Sequence, residues 1–479
     1  MNRCSGAVRA LALTGGFILF DAILAPSGAH AAGLYFSDRG VKPMSRGGAW
    51  VAGADDVGAI WYNPAGLADA GTSLMADFAW LNEQNQFTRK TQVVDASGTV
   101  RTYTFPTVNG TSPILPIPTL GGSYNWGRKK QFTLAGAVYA PYTALTDYPS
   151  TVNGQPAPQR YSLINLDGSA LAGVGVWFAW KPIEQLRFGV GVGALVGTFS
   201  SEVVFNANPA DRLIGAPEDP KYDSDGQLKA HIISPTGNIG ATIVPIKQVR
   251  LGLAYSLPIW VNAPGSLQVR LPTAVLFDKA TVSGEDVRVK FNLPGIFRAG
   301  IEVRPIEQLR VEVSYVREFW GIHDDITVRP ENVALNGVTG FPSPYYVPTI
   351  TLPRHFQDSN SYRIGGQYTL DLFNTYKIDF RAGFNYDQSA IPPAYLSPLT
   401  IDLDRYTISF GGSLYVGKHW RLDATYARIM GKDTEVSPAE AAVPRVNPVR
   451  GNPTATESIN GGSYSASANL FGVGVNYKF

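Results

Sequence analysis

The clearest pattern in the chain is an alternation of apolar and polar positions. In the last stretch Phe471, Val473, Val475, Tyr477 and Phe479 share one face of an extended backbone, and Gly472, Gly474, Asn476 and Lys478 share the other. Between Tyr406 and Val416, apolar Tyr406, Ile408, Phe410, Leu414 and Val416 alternate with Thr407, Ser409, Gly411, Ser413 and Tyr415. Phe380, Ala382, Phe384 and Tyr386 alternate with Arg381, Gly383, Asn385 and Asp387. One face of each strand suits lipid and the other an aqueous lumen.

Short turns punctuate the strands. Lys181-Pro182-Ile183-Glu184-Gln185-Leu186-Arg187 returns as Arg304-Pro305-Ile306-Glu307-Gln308-Leu309-Arg310, with a third copy at Val244-Pro245-Ile246-Lys247-Gln248-Val249-Arg250. Weaker equivalents lie at 126–130, 372–375 and 417–420, making six short turns. Seven long polar connections separate them, at about 88–118, 141–168, 200–230, 261–292, 321–360, 388–403 and 431–462. Short turns on one side and long loops on the other predict an all-β, transmembrane antiparallel β-barrel of about 14 strands. Trp80, Trp126, Trp177, Trp180, Trp260, Trp320 and Trp420 are expected in its interfacial girdles. A soluble β-sandwich leaves the asymmetry of turns and loops unexplained.

Residues 44–69 do not alternate. They are rich in small residues, yet residues 34–67 also carry Leu34, Tyr35, Phe36, Val41, Met44, Trp50, Val51, Ile60, Trp61, Tyr62 and Leu67. Such a segment needs burial. A barrel of about 14 strands has a lumen wider than its own side chains fill. The segment is therefore expected to plug the lumen as an N-terminal hatch. Arg46-Gly47-Gly48 suits a tight turn, and Asn63-Pro64 suits turn initiation. Asp55 and Asp56 are placed to cap a turn or to meet Lys and Arg on the wall.

Residues 1–31 read as a cleaved signal peptide. Arg3 and Arg9 precede a mostly apolar run, and Ala29-His30-Ala31 is a small-x-small site. The expected organisation is signal peptide 1–31, hatch 32–72 and barrel 73–479. The only cysteine, Cys4, falls in the leader, so the mature chain is expected to hold no disulfide or thiolate ligand. Lys and Arg number 40 against 38 Asp and Glu, which gives no bulk charge for a nucleic-acid partner. A mean hydropathy of -0.03 is too polar for a helical membrane protein.

With Ser45-Arg46-Gly47-Gly48-Ala49, Ala54-Asp55-Asp56 and Asn63-Pro64-Ala65-Gly66-Leu67 in one stretch, the N-terminal segment resembles the hatch of the FadL/TodX family of outer-membrane transporters of hydrophobic compounds. Ala32-Gly33-Leu34-Tyr35, Ala140-Pro141-Tyr142, Thr146-Asp147-Tyr148-Pro149, Arg160-Tyr161 and Leu293-Pro294 are similar to the family as well. The resemblance implies a 14-stranded barrel in the outer membrane that takes up long-chain fatty acids or similar hydrophobic compounds without an energy source. Ligand would be caught among the extracellular loops and passed to an apolar lumen pocket. Movement of the hatch would then release it sideways beside a kinked third strand into the membrane. The terminal Phe479 resembles the signal read by the barrel-assembly machinery. Lipid and lipopolysaccharide would surround a monomer.

Candidate ligand contacts are Leu34, Tyr35 and Phe36 at the mature N-terminus, Leu271, Val275, Leu276 and Phe277 in the fourth loop, and Arg160. Arg160, Lys247, Arg270, Arg288 and Lys290 could each meet a carboxylate. Candidate gate residues are Arg46, Gly47, Gly48, Asp55, Asp56, Asn63, Pro64 and Ala65. The four histidines outside the leader, His231, His323, His355 and His419, lack zinc-ligand spacing, although His323-Asp324-Asp325 could hold a surface cation. No nucleophile elbow or phosphate loop stands out, so neither an enzyme nor a cofactor is expected. The alternatives to fatty-acid uptake are an aromatic-hydrocarbon channel of the same family, a general diffusion porin and a barrel lipid hydrolase.

Overall fold

The computed structural model describes residues 38–94, 97–112, 116–140, 146–209, 218–372, 376–449 and 457–479. The leader and Leu34, Tyr35 and Phe36 lie outside the described residues.

Fourteen antiparallel strands close into a barrel: β1 (Ser73–Val94), β2 (Pro116–Trp126), β3 (Phe132–Tyr139), β4 (Ala170–Ile183), β5 (Leu186–Asn206), β6 (Asp223–Ile246), β7 (Val249–Ser256, continued as Ile259–Arg270), β8 (Asp286–Leu293, continued as Ile296–Ile306), β9 (Leu309–Glu318), β10 (Ser359–Leu372), β11 (Tyr376–Asp387), β12 (Arg405–Val416), β13 (Trp420–Gly431) and β14 (Gly462–Lys478). Each pairs with its neighbours in sequence, and β14 returns to β1 from Ser73↔Lys478 to Arg89↔Gly462. Closure leaves no unpaired edge, which hydrocarbon would not tolerate.

The repeated turn has a structural cause. Between Trp180↔Phe188 and Ile183↔Leu186 the register shifts, and it shifts again between Ile243 and Ile246 and between Val303 and Ile306. Pro182, Pro245 and Pro305 sit in these bulges, where a missing N–H breaks no ladder bond.

The expected faces hold on the barrel wall. Phe380, Phe384, Phe410, Phe471 and Val473 are exposed on the outside, while Arg381, Asn385, Ser409 and Ser413 are buried. Two expectations need correction. The strands are longer than alternation suggests: β6 has 24 residues, against about 9–11 needed to cross a bilayer. Their polar outer halves read as loop because both faces stand clear of lipid there. Trp177 and Trp320 are not in the girdles. Both are buried, with the Trp177 indole donating to Asn238 Oδ1 at 2.9 Å and that of Trp320 to Glu318 at 2.7 Å.

Residues 38–72 pack inside the barrel. Short helices α1 (Val41–Met44) and α2 (Ala59–Tyr62) are followed by a 3-10 turn, Pro64–Asp69. The Asn63 side chain caps that turn by accepting from Ala65 N at 3.1 Å, and Pro64 supplies its first, donor-free position. Gly47 and Gly48 adopt φ of 61° and 71°. The segment's backbone lies directly on lumen-facing glycines of the wall. A Cβ on Gly383 would stand 2.0 Å from the Arg46 carbonyl carbon, one on Gly189 2.2 Å from that of Pro64, and one on Gly240 2.1 Å from Asn63 Oδ1.

Gly383→Val is therefore expected to displace residues 38–72 while the barrel still closes. Trypsin should cut at Arg39 and Arg46, and bilayer conductance should rise. Wild-type protection and conductance would refute the close packing.

Candidate functional site

The lumen holds three levels: an ion-paired plug, a cavity beside it and an apolar cavity above. The plug is organised around Glu312 on β9. Its Oε1 accepts from Val51 N at 2.6 Å and Ala52 N at 2.9 Å, and its Oε2 accepts from Gly53 N at 2.8 Å. Arg46 lies 3.2 Å from Glu302 and 3.7 Å from Glu312, all three fully buried. Arg310 bridges Glu302 and Asp55 at 3.0 and 2.7 Å. Asp55 also meets Lys42 at 2.6 Å. Asp56 pairs with Arg421 at 2.8 Å, Asp69 pairs with Arg187 and Arg250 at 2.8 Å each, and Asp38 pairs with Arg363. Trp50 packs beneath Lys42, Arg46 and Arg310 at 4.5, 4.8 and 5.4 Å. Buried charges persist when each is paired and hydrogen-bonded, and here nearly every pair joins the plug to the wall.

The sequence-predicted gate residues converge in this zone. Arg46, Asp55 and Asp56 hold wall charges. Gly47 N donates to Ser409 Oγ at 2.8 Å, and Asn385 donates to Gly47 O at 3.2 Å. Gly48 lies against Asp38 and Arg363. Asn63 donates to Thr242 Oγ1 at 3.0 Å and to Val51 O at 2.9 Å. Pro64 and Ala65 lie on Gly189.

Beside the plug, a cavity of about 620 Å³, partly open, is lined by Trp61, Tyr139, Trp177, Asn238, Leu257 and neighbouring wall residues. Trp61 meets Tyr139 edge-on at 5.4 Å. Asn238 accepts from Trp177 Nε1 and donates to Ile60 O at 2.6 Å.

The upper cavity, about 800 Å³ and also partly open, is lined chiefly by apolar side chains, including Phe199, Val203, Leu228, Ile326, Val328 and Leu352. An apolar lining with a single charged group is the character of a small-ligand pocket. One charge faces it. Arg354 is 2 % exposed, donates from Nη1 to Ser397 Oγ at 3.3 Å, and has an unpartnered Nε. Among the described residues no carboxylate lies within ion-pair distance of it. Burial pushes its guanidinium down to about 10, so it is still charged at neutral pH.

The other candidates lie elsewhere. Arg160 is committed to Asp223 at 2.9 Å and Glu218 at 3.4 Å, although its neighbour Tyr161 lines the upper cavity. Phe277 is buried in a separate loop cluster with Leu335 and Val338, against which Leu271 and Leu276 pack. Val275 is 81 % exposed. None of these four fourth-loop residues lines either cavity. His323 is buried, its Nδ1 2.6 Å from Asn292 O, and desolvation lowers its pKa to about 4. Asp324 points to His355 instead, so His323, Asp324 and Asp325 do not converge on one point.

Residues 22–479 match the family described as outer membrane protein transport protein (OMPP1/FadL/TodX). The chain belongs to this family. Its fold matches a crystal structure of a Pseudomonas aeruginosa FadL homologue, with a TM-score of 0.72 and 15 % identity over 94 % of this chain and all of that one. It also matches the Pseudomonas putida toluene transporter TodX (TM-score 0.59, 16 % identity, 94 % and 99 % of the two chains). The monoaromatic hydrocarbon channel CymD matches as well (TM-score 0.58, 16 % identity, 94 % and 98 %). No curated protein matches the sequence. Family membership places the chain in the outer membrane as a non-enzymatic transporter of hydrophobic compounds.

In this family member, sequence reasoning missed Glu302, Glu312, Asn238 and Arg354. A signal existed for the first two. Glu302 falls between outward Ile301 and Val303, and Glu312 precedes outward Val313, so both occupy lumen positions on otherwise apolar strands. Arg354 sits in a proline-bounded loop with no periodicity to mark it.

Glu312→Ala should leave Arg46 and three backbone N–H groups short of their acceptor. The plugged arrangement is expected to lose about 3–5 kcal/mol, the usual cost of breaking a buried charged pair. Faster tryptic cleavage at Arg39 and Arg46 would report it, with Glu312→Gln intermediate.

Proposed function

We propose that this transporter takes up long-chain fatty acids. Ligand is captured at the extracellular loops and held in the upper apolar cavity. It passes down when the hatch, residues 32–72, shifts within the barrel of residues 73–479, and then leaves sideways into the membrane. The observation that carries the reading is Arg354, a cation buried on an apolar cavity with no acidic partner among the described residues. A neutral aromatic hydrocarbon would leave it unpaired. A fatty acid brings the missing anion and an alkyl chain for the apolar wall. Each methylene moved out of water contributes about 0.8 kcal/mol, and a charge-assisted hydrogen bond about 1.5–3 kcal/mol. The chain therefore supplies most of the affinity, and the carboxylate decides which hydrophobic compound fits.

The hatch suits a gating role because Arg46, Asp55, Asp56 and Asn63 hold one side of it by polar contacts that can exchange, while its apolar packing on the wall, Ile60 and Leu67 with Ala135, Trp177 and Ala179, is confined to another. Lateral release suits the ligand, since an alkyl chain moving from cavity to bilayer never meets water. Phe479, exposed at the barrel end, is the position at which assembly machinery would read the chain. Aromatic uptake is the competing reading, drawn from the hydrocarbon channels that share the fold.

Arg354→Met should weaken oleate binding about 10- to 100-fold, in line with 1.5–3 kcal/mol, and leave any toluene uptake unchanged. Unaltered oleate affinity in the variant, or uptake of toluene but not oleate by the native protein, would sink the fatty-acid reading. The same variant should make the ligand-free barrel more resistant to unfolding. Burial lowers the folded-state pKa of Arg354, so at neutral pH the charged form costs stability in full, and that cost is relieved only as pH rises past about 10.

A further inference from the structure

The short turns are of more than one kind. Three carry the Pro-Ile repeat, and all three lie between β4 and β9. Two others are built differently. Trp126-Gly127-Arg128-Lys129-Lys130-Gln131-Phe132 joins β2 to β3, and Gly417-Lys418-His419-Trp420 joins β12 to β13. They stand on either side of the β14–β1 seam where the barrel closes. Short turns face the periplasm, so both lie at the inner-leaflet end of the wall.

The β2–β3 turn concentrates charge. Arg128, Lys129 and Lys130 are consecutive and exposed. β2, the turn and β3 contain no acidic residue. Among the described residues, no carboxylate lies within ion-pair distance of the three cations. The Pro-Ile turns differ. Lys181 lies 3.6 Å from Glu184, Arg304 lies 2.9 Å from Glu302, and Lys247 is a single cation. The basic turn is also pinned. Asn125 Nδ2 donates to Lys130 O and to Phe132 O, both at 3.0 Å, and Lys129 N donates to Gln131 Oε1 at 2.9 Å. Lys130 holds a φ of 50°, a left-handed conformation that favours Gly or Asn. Cations on a fixed turn give up less freedom on meeting an anion than cations on a loose loop.

Aromatic rings set the level of this turn. Tyr124 and Trp126, 62 % and 36 % exposed, stand on the outer face of β2. Trp126 meets Tyr124 at 6.0 Å and, across the turn, Phe132 at 5.7 Å. Such rings settle at the headgroup level of a bilayer. Arg128, Lys129 and Lys130 follow directly, so their charges reach the lipid phosphates while their stems lie over apolar surface. A soluble anion would meet the cations and leave the rings unused. The β12–β13 turn offers an internal comparison. Trp420, Tyr477 and Phe479 form a similar cluster, with ring separations of 4.7 and 4.8 Å, but Lys418 is the turn's one lysine.

We propose that the β2–β3 turn is a binding site for an anionic phospholipid of the inner leaflet. Its phosphate rests on Arg128, Lys129 and Lys130, and its acyl chains lie against Tyr124, Trp126 and Phe132. The lipid covers the wall beside the seam, whichever hydrophobic compound the barrel carries.

The test uses protein purified from membranes in a neutral detergent. It is titrated with dioleoyl phosphatidylglycerol or dioleoyl phosphatidylcholine, which share their acyl chains, and bound lipid is counted by native mass spectrometry. Phosphatidylglycerol should be held at least tenfold more tightly. Arg128→Gln/Lys129→Gln/Lys130→Gln should abolish that preference, at about fivefold per cation. Lys129→Gln alone should lower it about fivefold, which covers a triple variant that fails to assemble. Arg128→Lys should keep the preference. Lys418→Gln and the rim control Lys181→Gln/Lys247→Gln should each change it less than twofold. Inorganic phosphate at the lipid's concentration should not displace phosphatidylglycerol. Equal retention of the two lipids by the native protein, or an unchanged preference in Lys129→Gln and in the triple variant, would overturn the site. Displacement by inorganic phosphate would overturn its assignment to a lipid.

Discussion

The structure depends on compensating buried charge across the boundary between plug and wall. A lumen fourteen strands around is too wide for the side chains of its own wall, and a polar lumen cannot be filled with apolar chain alone. Glu312 shows the solution. One wall carboxylate takes three consecutive N–H groups from Val51–Gly53 and stands 3.7 Å from Arg46. Donors that a compact, irregular segment cannot satisfy internally are satisfied by the barrel. The wall acids in turn need the cations of the plug. Neither part is electrostatically complete without the other, so the N-terminal segment is held in place without being covalently or sterically locked.

Shape complementarity follows the same division. The plug brings backbone to the wall because its residues are small, and the wall answers with glycine at Gly189, Gly240 and Gly383. Polar contacts made by backbone and short side chains reform readily after a small shift. An interdigitated hydrophobic core would not.

The strand count, the barrel, the plug and the family were legible in the sequence, because period-2 alternation, the repeated Pro-Ile-Glu/Lys-Gln turn and the Asn-Pro-Ala-Gly-Leu stretch are local signals. Strand length was not, since β6 continues past the membrane where its alternation fades. Trp177 and Trp320 were misplaced because a tryptophan near a strand end has the same local context whether it faces lipid or lumen. The ligand site was least legible. Arg160 looked suitable beside Tyr161, yet Asp223, distant in sequence, neutralises it. Arg354, flanked by Pro353 and His355, stands out only because the fold surrounds it with apolar side chains and, among the described residues, brings no acid within ion-pair distance. An unpaired charge is a property of three-dimensional neighbours, and no local pattern encodes it.

The two cavities differ in the chemistry they offer a hydrophobic ligand. The upper one offers a fixed cation in apolar surroundings, a site that rewards a headgroup and retains it. The lower one offers Trp61, Tyr139 and Trp177, aromatic surface with one amide and no strong charge on its lining. On the fatty-acid uptake proposed above, a carboxylate would gain nothing by descending, whereas an alkyl chain would lose little, so the tail would be the part of the ligand that enters the lower cavity first.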